Sequence, residues 1–192
     1  MGWIRAKLES WKATKLRLKE TNRIAYFFVD ITEVILVAFV MAMFIRTFFV
    51  QTSYVFSGSM IPTMQIGDRL VVDKVTFHFR KPHRGEIVLF KSPYKDGKEF
   101  VKRLVGLGGE TVELRKGVVY INGKEQNFPG IDVQRDYSYF GPEKIPTGSY
   151  FMLGDNRSNS ADSRIWGFVP QGDLIGRGLF NFWPINRIQV LH

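Results

Sequence analysis

Residues 24–50 read IAYFFVDITEVILVAFVMAMFIRTFFV, and this apolar segment decides how the chain is organised. Its uncharged core, residues 34–45, is twelve residues long, which as a helix of about 18 Å is too short to cross about 30 Å of hydrocarbon. A longer helix has to carry Asp30, Glu33 and Arg46. Glu33 and Arg46 lie near the two ends of the core, where side chains can reach the membrane interface.

We therefore predict a single transmembrane helix over residues 25–50. The alternative is an amphipathic or buried helix of a soluble protein. A cleaved signal peptide is disfavoured, because the charged segment before the helix is long and no small-x-small site follows Val50.

The net charge of +9 is concentrated beside this helix. Residues 1–23 hold seven Lys and Arg against two Glu, whereas the rest of the chain is much closer to balance for its length. Basic residues next to a membrane helix favour the cytoplasmic side. We predict that residues 1–24 form a cytoplasmic basic arm and that residues 51–192 lie outside the membrane. The charge therefore indicates topology, and nucleic acid is not an expected partner.

The composition excludes several kinds of site. Of 192 residues, 45% are hydrophobic and 23% charged, which permits a packed core and excludes overall disorder. There is no Cys, so a disulfide framework, a thiolate metal site and a Cys nucleophile are excluded. Only three His occur, which supplies a His-based triad or zinc site poorly. No spacing of ligands supports a metal, and no cofactor is expected.

Beyond Val50 the pattern favours strands and turns. Lys116-Gly117 and Asn122-Gly123 are tight-turn sequences beside short β-branched runs. The fold class we predict is mainly β, an antiparallel sheet domain with a small β insertion at about residues 107–148 as a second subdomain. The predicted strands cover residues 69–79, 85–90, 100–107, 111–115, 118–121, 149–153 and 179–183, and residues 124–148 are predicted to be largely loop.

Three segments hold polar residues of possible chemical use. They are SGSMIPTM at residues 57–64, the Lys102-Arg103 pair inside an apolar run, and the polar loop GDNRSNSADSR at residues 154–164. Each alone has an ordinary interpretation as a linker, a solvent-facing lysine or a solvated turn. Together they supply a Ser hydroxyl, which needs a base, and a lysine flanked by apolar residues, whose burial would lower its pKa enough to act as one.

These segments resemble the motifs of bacterial type I signal peptidases, which are membrane-anchored Ser-Lys endopeptidases. SGSMIPTM is similar to the nucleophile motif, and GDRLVVDK at residues 67–74 to the strand after it. RGEIVLF at residues 84–90 with FVKRLVGLGGE at residues 100–110 resembles the lysine motif, and GDNRSNSADSRIWGFVP at residues 154–170 the C-terminal motif. The order of the motifs and the preceding helix also match, over about residues 25–184.

The resemblance implies a role for each matching residue. It implies Ser59 as nucleophile, Lys102 as general base, Ser57 with the Ser59 N–H as oxyanion hole, and Ser160 as the residue that orients the lysine. Asp162 and Arg164 match a supporting charged pair. The positions that line the lysine and the shallow substrate pockets are matched by Met60, Met64, Phe90, Phe100, Val101 and Met152.

The chain also departs from the family pattern. Phe56 stands where the family often has Pro, and Gly108-Gly109-Glu110 stands where Pro-Gly-Asp is common. Many relatives have two membrane helices where this chain has one. Ser92-Pro93-Tyr94-Lys95 matches the S-x-x-K pattern of penicillin-binding proteins, but Asp96-Gly97 follows at once and no Lys-Thr-Gly occurs.

The function implied is removal of signal peptides from exported preproteins after small-x-small sites, at the outer side of the bacterial cytoplasmic membrane. The implied partners are those signal peptides and the lipid bilayer. Other interpretations stay open: a pilin or single-substrate maturation peptidase of the same fold, or a non-catalytic anchored β-domain that binds exported chains. A self-cleaving Ser-Lys repressor is disfavoured by the membrane helix and by the lack of a helical DNA-binding domain.

Overall fold

A computed structural model describes residues 2–128 and 136–191 and divides the chain into two compact units. The first unit ends at Thr47 and holds helices α1 (Gly2–Thr21) and α2 (Arg23–Phe48), the latter reaching one residue into the second unit. Among the described residues, α2 is the one helix long and apolar enough to cross a membrane. The predicted span of residues 25–50 is thus shifted by two residues at each end.

The second unit begins at Phe48 and is built from twelve described strands in two antiparallel sheets. The first sheet has the order β1-β2-β11-β3-β4-β9-β10, and β12 also pairs with β11. Its strands are β1 (Val50–Tyr54), β2 (Arg69–Asp73), β3 (Ile87–Lys91), β4 (Glu99–Leu107), β9 (Ser149–Leu153), β10 (Val169–Pro170), β11 (Leu174–Trp183) and β12 (Gln189–Val190).

The second sheet has the order β7-β6-β5-β8. Its strands are β5 (Thr111–Arg115), β6 (Val118–Ile121), β7 (Lys124–Glu125) and β8 (Phe140–Lys144). Lys116 and Gly117 both have positive φ at the hairpin between β5 and β6, as the turn sequence predicts. The stretch 124–148 was predicted to be largely loop, which is wrong for β7 and β8, while residues 129–135 lie outside the described residues.

Short helices interrupt the strands. The strand predicted over residues 69–79 ends at Asp73, because the Asp73 carboxylate accepts hydrogen bonds from the backbone N–H groups of Val75 and Thr76 and thereby starts a new turn. One turn of helix, α3 (Thr76–Phe79), follows. A second, α4 (Ser163–Trp166), lies between β9 and β10.

A shared hydrophobic cluster joins the two sheets. Phe151 and Leu153 of β9 pack in it with residues of β4, β5 and β6. Phe151 is fully buried, and its ring centroid lies 5.0 Å from that of Phe140 in β8 and 6.0 Å from that of Phe168. The second sheet is therefore held to the first by core packing, so we expect both to unfold together.

Phe151→Ala tests this. Truncation of a fully buried Phe costs about 3–5 kcal/mol of the free energy of unfolding, because a cavity replaces ring contacts on both sheets. Urea denaturation of a fragment starting at Phe48, followed by circular dichroism, measures the loss. Phe79→Ala is the control: Phe79 is 85% exposed, and its truncation should change stability by less than about 0.5 kcal/mol. Two separate transitions in the unsubstituted fragment would contradict the shared core.

Candidate active site

The segment with Ser59 is a single turn that is anchored in the core by a buried methionine. Ser57 is extended, and Gly58–Met60 form one turn of 3-10 helix closed by a hydrogen bond from the Ile61 N–H to the Gly58 carbonyl. Met60 is 1% exposed and packs in a core cluster between strands of the first sheet. The backbone of the turn is fixed by this anchor, which leaves the Ser59 side chain at the edge of the core.

Lys102 meets this turn. It lies on β4, which is paired along its length by β3 and β9, so its backbone has little freedom. Lys102 Nζ lies 2.5 Å from Ser59 Oγ, and the two residues are 5% and 7% exposed. The structure thus brings together the predicted nucleophile and the predicted base, which are 43 residues apart in sequence.

Burial changes the acidity of this lysine. Desolvation lowers the pKa of Lys102 to about 8, because a charged ammonium loses hydration in the interior. The carboxylates of Asp162 and Asp155 act in the opposite direction, and Arg164 adds to the lowering. Desolvation is the largest contribution, so the net effect of the surroundings favours the neutral amine.

Ser57 lies on the open side of Ser59. The Oγ atoms of the two serines are 3.1 Å apart, and Ser57 is exposed. A hydroxyl at this distance, beside the Ser59 hydroxyl and accessible from solvent, can donate a hydrogen bond to a group that approaches Ser59. This geometry suits the predicted oxyanion role.

The polar loop of residues 154–164 holds the turn through Asn156. The Asn156 N–H donates to the Ser59 carbonyl at 3.0 Å, and its side-chain amide donates to the Gly58 carbonyl at 3.2 Å. Asn156 was not predicted as a site residue. No local pattern signals it, because its partners are backbone carbonyls almost a hundred residues away in sequence.

A buried ion pair lies next to Lys102 in sequence and was also missed. Arg103 binds Asp155 through two hydrogen bonds of 2.8 and 2.7 Å, and both side chains are 1% exposed. Thr63 also donates to Asp155, at 2.6 Å. The pair therefore ties β4 to the polar loop and to the segment after the nucleophile turn. The one available signal was a second charge inside the apolar run around Lys102.

Asp162 and Arg164 form the predicted charged pair, with Oδ1 and Nε 2.8 Å apart. Asp162 is fully buried and also accepts from the Gly154 N–H at 3.1 Å, which braces the loop beside the site. Arg164 additionally binds Asp136 at 2.7 Å. The arginine thus links the polar loop to the segment just before β8.

Ser160 lies beside the site without the contact predicted for it. Its Oγ is buried and makes no hydrogen bond within the described part of the chain, so the bond predicted to Lys102 is not formed in this structure. A Cβ on Gly154 would come 2.2 Å from Ser160 Oγ and 2.5 Å from the Ser59 carbonyl oxygen. Ser160 and the nucleophile turn thus meet at Gly154, and the orienting role of Ser160 stays a prediction.

The six predicted lining residues divide into two groups. Val101 packs against the cluster that contains Met60 and Met64, whereas the cluster around Phe90 holds the other two. Four of the six are at most 1% exposed; those with partial exposure are Phe100 and Val101. No group of three or more His, Asp or Glu among residues 2–128 and 136–191 is arranged to hold a metal.

A serine hydroxyl against a buried lysine amine, in a β-sheet domain that follows an apolar helix, is an arrangement that can activate a nucleophile. The family model "Signal peptidase, peptidase S26" matches residues 28–183. The chain belongs to this family, and it is a peptidase.

Proteins similar to this chain include signal peptidases. Signal peptidase I of Leptolyngbya laminosa is 45% identical over 72% of this chain and 71% of its own length. Signal peptidase I T of Bacillus subtilis is 34% identical over 91% of this chain and 93% of its own. A crystal structure of a signal peptidase I from Enterococcus faecalis matches with a TM-score of 0.45 at 38% identity, covering 51% of this chain and 97% of that one.

The burial of Lys102 should be visible in the stability of the fold. Its folded pKa of about 8 is below the unfolded value of 10.5, so the unfolded state binds the proton more tightly. Below pH 8 the buried ammonium therefore costs about 3 kcal/mol, and this penalty disappears as the pH rises from 8 to 10.5. Lys102→Met removes the penalty and should be more stable than the native chain at pH 7.

Urea denaturation of both proteins at pH 7 and pH 10 measures this. The stability advantage of Lys102→Met should be largest at pH 7 and should shrink at pH 10, while groups that titrate in both proteins cancel. A constant difference between the two proteins at the two pH values would mean that burial does not shift the Lys102 pKa.

Proposed function

We propose that this peptidase is a membrane-anchored serine endopeptidase that removes signal peptides from exported preproteins, with Ser59 as nucleophile and Lys102 as general base. The observation that carries the proposal is the 2.5 Å contact between Ser59 Oγ and Lys102 Nζ, with the lysine buried. A buried lysine that touches a serine hydroxyl is costly to the fold, and an activated nucleophile is the chemistry that such an arrangement supports.

The first half of the reaction forms an acyl-enzyme. Ser59 Oγ attacks the carbonyl carbon of the scissile bond while its proton passes to the neutral Lys102 amine. The carbonyl oxygen becomes an oxyanion, which accepts hydrogen bonds from the Ser57 hydroxyl and the Ser59 N–H. When the carbon–nitrogen bond breaks, the Lys102 ammonium donates the proton to the leaving amine.

The second half of the reaction releases the acyl group. A water molecule gives a proton to the regenerated Lys102 amine and attacks the ester carbon through its oxygen. The tetrahedral intermediate then expels Ser59 Oγ, which takes the proton back from Lys102. Both attacks need a neutral Lys102 amine and both departures use its ammonium, so no second titratable group is required.

The pKa of Lys102 makes this feasible near neutral pH. With a pKa of about 8, roughly one molecule in ten holds a neutral amine at pH 7. With the unperturbed value of 10.5, only about one in 3,000 would. Burial of the lysine therefore raises the active fraction by a factor of about 300.

Substrate binding is proposed to use an extended peptide paired with a strand edge, as in β-augmentation. Phe100 and Val101 precede Lys102 on β4 and are partly exposed, so they are the predicted lining residues that a small substrate side chain can reach. A substrate with two small side chains separated by one variable residue would fit the shallow apolar pockets that are proposed next to Ser59.

Topology brings the substrate to the enzyme. The seven basic residues among residues 1–23, six of which precede α2, favour a cytoplasmic N-terminus, so the β unit lies on the outer side of the membrane. Ser59 follows Phe48, the last residue of α2, by eleven residues, a reach of at most about 40 Å when extended. The site thus stays near the membrane surface, where the cleavage site of a signal peptide emerges.

Serine substitutions test the proposed roles. Ser59→Ala should abolish cleavage of a peptide with an Ala-x-Ala site, because it removes the attacking oxygen while the turn keeps its Met60 anchor. Ser57→Ala should lower kcat by about 10²–10³ and leave measurable activity, because one of two oxyanion donors remains. Mass spectrometry of the products identifies the cleaved bond and gives the rate.

Ser10→Ala is the control, because Ser10 is an exposed serine of α1 whose hydroxyl donates to the Lys7 carbonyl and contacts neither Ser57 nor Ser59. Activity retained in Ser59→Ala but lost in Ser57→Ala would place the nucleophile two residues earlier. Native protein that binds the peptide without cutting it would favour the non-catalytic interpretation.

The pH dependence tests Lys102 as base. The rate should rise with pH and level off above a kinetic pKa near 8, because the amine must lose its proton before attack. Lys102→Arg should be inactive over the whole range, because guanidinium keeps its proton. Initial rates between pH 6 and 10 on the same peptide provide the profile.

His78→Ala and His83→Ala serve as controls for this profile and should leave it unchanged. A rate that is flat from pH 6 to 10, or an acidic limb that either histidine substitution removes, would rule out the lysine-base mechanism.

A further inference from the structure

Helix α1 has a composition that catalysis does not use. It holds six Lys and Arg against two Glu, and it displays large apolar side chains to solvent. Among these, Trp3 is 71% exposed, Ile4 61% and Trp11 47%. A helix that mixes exposed Trp with several basic residues has the composition of helices that lie in a membrane interface.

The chain turns back sharply between the two N-terminal helices. Lys15 Nζ lies 2.7 Å from Asp30 Oδ1 and 2.5 Å from Glu33 Oε2. In one straight helix, residues eighteen apart would be separated by about 27 Å along the axis, which these side chains cannot bridge. The bend lies at Asn22, whose side chain accepts hydrogen bonds from two N–H groups of the first turn of α2.

This contact neutralises the two acids of the apolar helix. Asp30 and Glu33 are the acidic residues of α2, and a charged carboxylate near hydrocarbon is costly unless a cation pairs with it. Lys15 supplies that cation to both, and its ammonium also lies 5.9 Å from the centroid of the Tyr26 ring. With these charges paired, this turn of α2 can lie at the depth of the lipid headgroups.

The same contact fixes which side of α1 faces α2. Trp11 precedes Lys15 by four residues, Leu18 follows it by three, and Ile4 precedes Trp11 by seven, so all share one face of the helix. Because Lys15 on this face reaches Asp30 and Glu33, the face with Ile4 and Trp11 is turned toward α2, the helix able to cross a membrane. Other basic residues of α1 flank this face.

We propose that α1 is an interfacial helix that binds anionic phospholipid headgroups, and that the ion pair of Lys15 with Asp30 and Glu33 holds it against the membrane. The inference rests on the membrane anchoring within the proposed function and is independent of the Ser-Lys chemistry. Its chemical basis is the complementarity of five further Lys and Arg to lipid phosphates, together with apolar side chains that insert between them.

The absence of Cys makes this testable on the full chain, because a single introduced Cys is the only site for a nitroxide label. Ile4→Cys places the label on the proposed membrane face, and Ala6→Cys, two residues on, places it on nearly the opposite face. The protein is reconstituted in nanodiscs of phosphatidylcholine, with or without phosphatidylglycerol. Power saturation with oxygen and with a water-soluble nickel reagent reports the depth of each label.

In discs with phosphatidylglycerol, the label at residue 4 should be several-fold less accessible to the nickel reagent than the label at residue 6. The difference should diminish in phosphatidylcholine alone and at high salt, because headgroup charges are absent or screened. Equal accessibility at the two positions in the anionic discs would overturn the proposal. A difference that is independent of anionic lipid would overturn the headgroup specificity.

The role of the ion pair is tested in the same discs. Lys15→Met should raise the nickel accessibility of the label at residue 4 several-fold, whereas Lys12→Met removes the same charge outside the ion pair and should change it little. Equal effects of the two substitutions would show that only total charge matters, which would overturn the proposed role of the ion pair.

Cleavage of a soluble Ala-x-Ala peptide is measured on the same samples. If the label at residue 4 is as accessible to nickel as the label at residue 6 while the peptide is cleaved, this inference alone is rejected. If the peptide is not cleaved while the label at residue 4 is protected from nickel, the proposed function alone is rejected.

Discussion

The active site depends on keeping one lysine amine out of water while it contacts one serine hydroxyl. Desolvation pulls the Lys102 pKa down, but two carboxylates near the site, Asp155 and Asp162, act to raise it. Each of these carboxylates is held by an arginine at hydrogen-bond distance, Asp155 by Arg103 and Asp162 by Arg164. Because the acids are already paired, burial outweighs their attraction for the ammonium. Arg164 therefore favours the neutral amine, whereas Asp155 and Asp162 oppose it.

How much of this could be predicted from the sequence depends on the range of the interactions. Ser149–Leu153 is a strand with the predicted bounds, and the Lys116-Gly117 hairpin forms where its turn residues require positive φ. These features are local. The two-residue strands β10 and β12 were not predicted, because they are too short to show a period of two. The strand predicted over residues 69–79 ends at Asp73 because its side chain accepts a backbone hydrogen bond, an interaction that strand propensities do not describe.

The same distinction holds at the site. Ser59 and Lys102 were predicted as a pair because the chemistry of a Ser nucleophile without His demands a buried base, and the resemblance to a family supplied the positions. Asn156 and the Arg103–Asp155 pair were missed, because their partners are distant in sequence and are chosen by the way the loop packs. Residues that carry out the chemistry can be recognised in the sequence by their residue type and motif. Residues that position them act through contacts that only the fold reveals.

Gly154 shows why the polar loop has to follow β9 at once. Its N–H donates to Asp162, its carbonyl accepts from Arg157, and its α-carbon faces both the Ser59 carbonyl and Ser160. A side chain here would collide with the nucleophile turn, so the residue after the strand has to be glycine for the loop and turn to approach. β9 is paired with β4 up to Arg103, the residue after Lys102. The end of one strand therefore places nucleophile, base and supporting loop at a single point.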